Sequence, residues 1–118
     1  MLDEREEVRW SVSNPFGAEI ILKAKTYEEH VMGDYNEKDS SYRKMLECNA
    51  KQVLTNPRYI INDNARHLYY DLILADEHLR IMKVVVEIDR VPNEVVTWAV
   101  LRKGEIIRGE IIYDISSD

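Results

Sequence analysis

The chain has 118 residues, a formal net charge of −6 and a single cysteine, Cys48. This length predicts one domain covering 1–118, and a lone cysteine excludes an internal disulfide, which favours a reducing, cytoplasmic compartment. The acidic balance disfavours a large polyanion as an obligate partner, although a local basic cleft acts over a Debye length of ~10 Å. The apolar runs are too short for a membrane span, and the charged stretch LDEREEVR does not resemble a secretory signal.

The N-terminal part predicts a pair of strands. Residues 1–7 are polar, and we expect them to be frayed. VRWSV, residues 8–12, alternates apolar and polar side chains with the period of a half-buried strand. SNPFG, residues 13–17, predicts a turn, and AEIILKA, residues 18–24, predicts a second strand.

The stretch TYEEHVMGDY predicts a short first helix. Thr26 and Glu29 have the spacing of a capping box, which predicts a helix start at Tyr27. Gly33 can adopt the left-handed conformation that ends a helix. His30 then lies near the last carbonyls of the helix, which favour a protonated imidazole. No structural reason requires a histidine there, so His30 is a candidate acid or base, against the alternative of an ordinary residue on a helix flank.

A second helix is predicted over 39–57. Asp39 or Ser40 can cap it, and Pro57 ends it because the residue before a proline avoids the helical region. Its apolar stripe has helical spacing and consists of Tyr42, Met45, Leu46, Asn49, Ala50, Val53 and Leu54.

After Pro57 the apolar period changes from 3.6 to 2. The predicted strands are 58–61, 66–74, 79–88, 95–102 and 105–113. Lys103 and Gly104 predict a hairpin between the last two, and Gly109 predicts a bulge. The resulting fold class is α+β, with N-terminal strands and two helices followed by an antiparallel sheet of about four to five strands.

The search for chemistry finds few specific signals. Motifs for dinucleotides, nucleoside triphosphates, serine hydrolases and zinc are absent from the sequence. His30, His67 and His78 are too far apart to indicate a metal site by spacing. We therefore expect neither a metal nor a cofactor.

Three further features are ambiguous between structure and function. In RHLYYD, strand alternation puts Arg66 and Tyr70 on one face, and the alternative to a site is a solvated polar stripe. Thr97, within VVTWAV, is either a good strand former or a buried hydroxyl that needs a partner. Arg102, Lys103 and Arg108 concentrate positive charge, which is typical of a solvated surface.

The order of these pieces resembles the metal-independent nucleases of the barnase, EndoU, colicin and RelE (BECR) fold, in particular their phage-associated branch. The matching stretches span about residues 14–113 and are NPFGAEIIL, TYEEHV, VLTNPRYIIND, LYYD, MKVVVEI and VVTWAV. The resemblance implies RNA cleavage without metal, by attack of the ribose 2′-OH on the adjacent phosphate. That reaction needs a base, an acid and a cation.

The resemblance carries over to individual residues. His30 matches the helix histidine, and Thr97 matches the threonine of the late strand. The family often has a second histidine one turn after the first, and Tyr35 occupies that place here. Tyr35 could therefore fill one of the two proton-transfer roles, or the pair could be incomplete.

Residue type alone, without a motif match, suggests the remaining roles. Arg66 or Arg102 could supply the cation, and Tyr70 could stack on a base or contact a phosphate.

Two interpretations stay open. The first is a ribonuclease-like domain of the phage or mobile-element toxin type, with RNA and an inhibitor protein as partners. The second is a non-catalytic interaction module or regulatory phage protein with a protein partner. Neither involves a membrane, and the sequence does not constrain the oligomeric state.

Overall fold

The computed structural model describes residues 7–31, 37–75, 77–102, 104–105 and 107–116, with the backbone alone for residues 30 and 37–40. The predicted fraying of residues 1–6, the helix end at Gly33, and Tyr35 and Lys103 lie outside these ranges. Glu7 is described, and its carbonyl accepts a hydrogen bond from the Ala24 amide at 2.8 Å.

The predicted α+β class is confirmed, and most of the described chain is sheet. The elements in chain order are β1 Val8–Ser13, β2 Glu19–Lys23, α1 Ala24–Thr26 with a π-helical turn Tyr27–Val31, α2 Glu37–Met45, α3 Glu47–Thr55, β3 Tyr59–Asp63, β4 Arg66–Ala75, β5 His78–Glu87, β6 Asn93–Val100 and β7 Glu110–Asp114.

The sheet is larger than predicted and mixed in direction. Within the described ranges, seven strands form one sheet in the order β1-β2-β6-β5-β4-β3-β7, where four to five antiparallel strands were predicted. The N-terminal hairpin joins the sheet because β2 pairs in parallel with β6, through Ile20 with Asn93 and Ile21 with Glu94. Period-2 alternation identifies a strand but not its partner, so the sequence did not reveal this pairing.

The predicted hairpin at Lys103 and Gly104 is wrong. β7 pairs with β3, not with β6, because β6 already has β2 on one side and β5 on the other. The chain after Leu101 therefore crosses a sheet face before it reaches the free edge of β3. Gly109 begins this last pairing with a φ of +120°, and a Cβ there would overlap the Ile61 side chain. Glycine at this position therefore allows β7 and β3 to approach each other closely.

The two faces of the sheet are buried by different parts of the chain. We call the face that packs against α3 the helix face; its core includes Trp98, Tyr69 and Met82 together with Leu54. We call the opposite face the outer face. There the crossing segment buries a smaller cluster of Ile61, Tyr70 and Leu101, with Ile107 packed against it. The alternation predicted for β4 is confirmed, because Tyr69 and Tyr70 lie in different clusters.

The helices deviate from the prediction at their ends. α1 begins at Ala24, and Lys23 before it makes no side-chain cap, so the predicted start at Tyr27 is wrong. The predicted helix 39–57 is interrupted at Leu46, whose amide is shared between the carbonyls of Tyr42 and Arg43, both at 3.2 Å. Ala50, Val53 and Leu54 of the predicted stripe are buried, whereas Met45 is 56% exposed.

The tip of the β1–β2 hairpin reaches across the core. Asn14 is buried, and its Nδ2 donates to the hydroxyl of Tyr69 at 3.0 Å. Phe16 packs edge-on against Tyr113, with ring centroids 5.7 Å apart. Because Tyr113 lies in β7 and the hairpin lies at the other edge of the sheet, this contact shows that the sheet curls around the helix-face core.

Glu47, at the start of α3, ties that helix to β1. Its carboxylate accepts hydrogen bonds from Arg9 Nε at 2.5 Å, Arg9 Nη2 at 3.1 Å and Trp10 Nε1 at 2.9 Å. The hydrogen bond from Arg9 is the main reason that the pKa of this carboxyl lies below its ordinary value.

Replacement of Glu47 by glutamine tests this connection. We expect Glu47→Gln to lower the free energy of unfolding by about 1 kcal/mol at neutral pH, since the Arg9 end is exposed. A depressed carboxyl pKa stabilises the fold above the ordinary value of 4.5 and loses that effect as the pH falls through the folded-state pKa. Urea unfolding should therefore give a smaller difference at pH about 3. Glu110→Gln, at an exposed site, is the control; an equal loss there would contradict the expectation.

Candidate functional site

The strands of the sheet are staggered, and each stagger produces a cleft. Among the described residues, β2 pairs with β6 only at Asn93 and Glu94, so the C-terminal half of β6 extends beyond it. β6 in turn pairs with β5 from Met82 to Glu87, so the start of β5 extends beyond β6.

Two adjoining clefts lie at these steps. The β6 cleft has a volume of about 500 Å³ and is lined by Tyr42, Arg43, Leu46, Lys83, Ala99, Val100, Leu101, Arg102 and Glu105. The β5 cleft has a volume of about 560 Å³ and is lined by His78, Leu79, Arg80, Ile81, Leu101, Arg102, Gly104 and Glu105. They share Leu101, Arg102 and Glu105, so a molecule in one cleft lies beside the other.

The β6 cleft is basic, although the chain as a whole is acidic. Arg43, Lys83 and Arg102 line it, against a net charge of −6 for the chain. Glu105 is the one carboxylate among the described lining residues, and its Oε1 accepts from the backbone amide of Arg102 at 3.3 Å. A concentration of one charge sign in a cleft focuses the field and attracts ions of the opposite sign.

Arg43 is fixed at the wall of the β6 cleft. Its Nη1 donates to Thr97 Oγ1 at 3.0 Å and to the Trp98 carbonyl at 2.9 Å. In return, the indole Nε1 of Trp98 donates to the Arg43 carbonyl at 3.0 Å. Trp98 is fully buried, so α2 is held against β6 through the core and through these three hydrogen bonds. We predicted that a buried Thr97 hydroxyl needs a hydrogen-bond partner, and the Arg43 guanidinium is that partner.

The backbone of His30 lies in the π-helical turn, which packs against β6. Tyr27 in the same turn has its ring 6.3 Å from that of Trp98. The structure thus brings the segment that carries His30 to the strand that carries Thr97. The side chain of His30 and the whole of Tyr35 are outside the described part of the structure.

Of the remaining predicted site residues, Arg102 lies at this site, whereas Arg66 and Tyr70 do not line either cleft. Arg102 is exposed and lines both clefts. Arg66 is exposed at the start of β4, opposite Asp63 and Glu87 in the pairing.

Tyr70 is buried on the outer face, beside a separate cavity of about 170 Å³. Burial is the main cause that raises the pKa of its phenol, which keeps the hydroxyl protonated. A base that stacked on Tyr70 would therefore lie outside the basic β6 cleft.

Sequence reasoning missed Arg43 and Lys83. Arg43 lies next to Tyr42 of the apolar stripe and three residues before Leu46, a spacing that puts it beside the buried side of α2. Lys83 interrupts the apolar run of β5, which was a signal that its outer face reaches solvent there. Neither signal indicates that the two side chains line one cleft, because that depends on how α2 packs on the sheet.

The described ranges contain no group of three or more histidine, cysteine, aspartate or glutamate residues that could hold a metal ion. They also contain no helix that is long and apolar enough to cross a membrane. Comparison of the chain with protein-family models, curated proteins and solved structures found no match.

Two substitutions at Thr97 test how Arg43 is held. We expect Thr97→Val to lower the free energy of unfolding by about 1 kcal/mol, because one acceptor of a half-buried guanidinium is lost. Thr97→Ser retains the hydroxyl and should retain most of the stability. Urea unfolding measures both values. An unchanged stability of the valine variant would contradict a stabilising role of this hydrogen bond, because valine keeps the methyl group and lacks only the hydroxyl.

Proposed function

We propose that the β6 cleft binds RNA phosphates and that the chain is a small metal-independent ribonuclease-like domain. The observation that carries this proposal is the convergence of Arg43, Lys83 and Arg102 on one cleft of an acidic chain. The resemblance of the sequence to the BECR nucleases supplies the reaction type, and the phage-associated toxin role belongs to the same proposal.

The cleft suits a phosphodiester for a chemical reason. Guanidinium groups bind phosphate oxygens through paired N–H donors, and a lysine adds a point charge. Cleavage by the 2′-OH builds negative charge on the phosphorus oxygens, and cations fixed beforehand stabilise that charge without reorganisation. Arg43 is the best placed cation for this role, because Thr97 and the Trp98 carbonyl hold it at the wall.

The proton transfers are assigned to His30 and Tyr35. His30 is preferred as the acid or base because the resemblance matches it to the helix histidine, and because its backbone lies in the turn that packs against β6. Tyr35 takes the second role by its place in the sequence. Arg102 is the preferred second cation, ahead of Arg66, because it lines the cleft.

A protein-interaction module is the second candidate, and one observation favours it. Leu72 pairs with Ile81 and Leu74 pairs with Leu79 across β4 and β5, and all four side chains are exposed on the outer face. Exposed apolar side chains that adjoin one another are typical of binding surfaces.

Charge variants test RNA binding. We expect Lys83→Gln and Arg102→Gln each to weaken binding of a labelled single-stranded RNA about fivefold, since each loses a phosphate contact. The slope of log affinity against log salt should also fall by roughly 0.7 for each lost contact. Fluorescence anisotropy in EDTA measures both quantities. Arg66→Gln, an exposed cation away from the cleft, should bind like the unaltered chain; equal weakening there would place the binding elsewhere.

Cleavage is tested separately with mixed RNA in EDTA. We expect cleavage by the unaltered chain and by His67→Ala, and loss of cleavage in His30→Ala, because His30 is assigned a proton transfer and His67 lines neither cleft. RNA binding without cleavage by any of these proteins, at high concentration, would reject the ribonuclease and leave a binding domain. Absence of both would favour the interaction module.

A further inference from the structure

The start of β5 has a free side toward the β5 cleft. β4 pairs with β5 along its whole length, as far as Ala75 with His78. β6 leaves β5 after Met82, and among the described residues the Leu101 amide makes the last hydrogen bond across, to the Ile81 carbonyl at 2.8 Å. In an antiparallel strand, the N–H and C=O of one residue point to the same side, and those of every second residue share that side. The N–H and C=O of Leu79 therefore point to the same side as the C=O of Ile81, toward the β5 cleft.

No strand of the described chain covers this side of Leu79. A free strand edge of this kind binds an extended segment, which adds to the sheet through main-chain hydrogen bonds. The cleft alongside it is about 560 Å³ in volume. The cleft leaves open space beside the start of β5, where an added strand would lie.

Side chains of two kinds alternate along this edge. Leu79 and Ile81 lie on the outer face, 71% and 36% exposed, and continue into the exposed side chains of Leu72 and Leu74. Arg80 follows the alternation of Met82 and lies toward the helix face. Arg102 lines the same cleft, so two cations, Arg80 and Arg102, border the edge.

We propose that the β5 cleft binds an extended segment of a partner protein, in which apolar and acidic residues alternate. As an added strand, the segment places its apolar side chains beside Leu79 and Ile81 and its carboxylates toward Arg80 and Arg102. Arg80 and Arg102 outnumber Glu105, the one carboxylate among the described residues that line this cleft, so charge complementarity selects an acidic segment over a basic one. The inference does not rest on RNA binding, although both sites use Arg102.

The same side chains argue against other occupants. Antiparallel pairing of this edge with a second copy about Arg80 sets two arginines opposite each other, and like charges directly opposite destabilise a sheet. Single-stranded RNA binds through aromatic stacking along a basic groove, whereas the outer side of this edge presents leucine and isoleucine.

A labelled peptide that alternates valine and aspartate is the probe. We expect it to bind the full chain and to shift the backbone amide signals of Leu79 and Ile81 in NMR spectra. A matched peptide with lysine for aspartate should bind at least about tenfold more weakly. Arg80→Glu should reverse this preference, while Arg108→Glu, exposed outside both clefts, should leave it unchanged. Thermal unfolding confirms that each variant is folded.

Three results would overturn the proposal. The first is equal binding of the two peptides, or no binding of either up to a concentration of ~1 mM. The second is a dimer of the unaltered chain that buries the Leu79 amide. The third is perturbation of the Leu79 and Ile81 amides by single-stranded RNA but not by the peptide. If Arg80→Glu still binds RNA while the peptide results contradict the proposal for the β5 cleft, that proposal fails and the RNA proposal stands.

Discussion

The parallel pairing of β2 with β6 determines where the later elements lie. It occupies the side of β6 that a following strand would otherwise take, so the chain after Leu101 has to cross the outer face and pair with β3. That crossing buries Tyr70 and creates a second small core. The pairing is also short, so α2 and not β2 packs beside the rest of β6. One contact of two residue pairs thus sets the sheet order, the second core and the position of the β6 cleft.

Arg43 combines a structural requirement with a charge. A carbonyl at an unpaired strand side needs a donor when it is removed from water, and the Trp98 carbonyl obtains it from this guanidinium. A neutral donor would satisfy the carbonyl equally well but would leave the cleft without this positive charge. The hydroxyl of Thr97 fixes the same group without altering its charge. Structure and proposed function are therefore separable at this site, because Thr97 affects the position of the cation and Lys83 affects only the charge.

Local patterns in the sequence predicted the elements but not their partners. The alternation in β4 and the helical stripe of α3 depend on neighbours within a few residues, and both predictions were confirmed. The partner of β7 depends on which strand edges remain open, and this is a property of the whole sheet. The start of α1 at Ala24 was missed because no side chain caps it. The cleft was missed because Arg43, Lys83 and Arg102 lie in three separate parts of the chain, and their local signals do not show that they line one cleft.

The shared residues of the two clefts couple the two proposals. Arg102 and Glu105 lie in a turn closed by the Glu105 amide on the Arg102 carbonyl at 3.0 Å, and both clefts use this turn as a wall. A strand added at Leu79 would bring carboxylates to Arg102, where they compete with phosphate for the same guanidinium. Linkage then requires that the partner weaken RNA binding by the same factor by which RNA weakens partner binding. Competition at one arginine would make this coupling negative, so under the two proposals a partner at the β5 edge would inhibit RNA binding in the adjoining cleft.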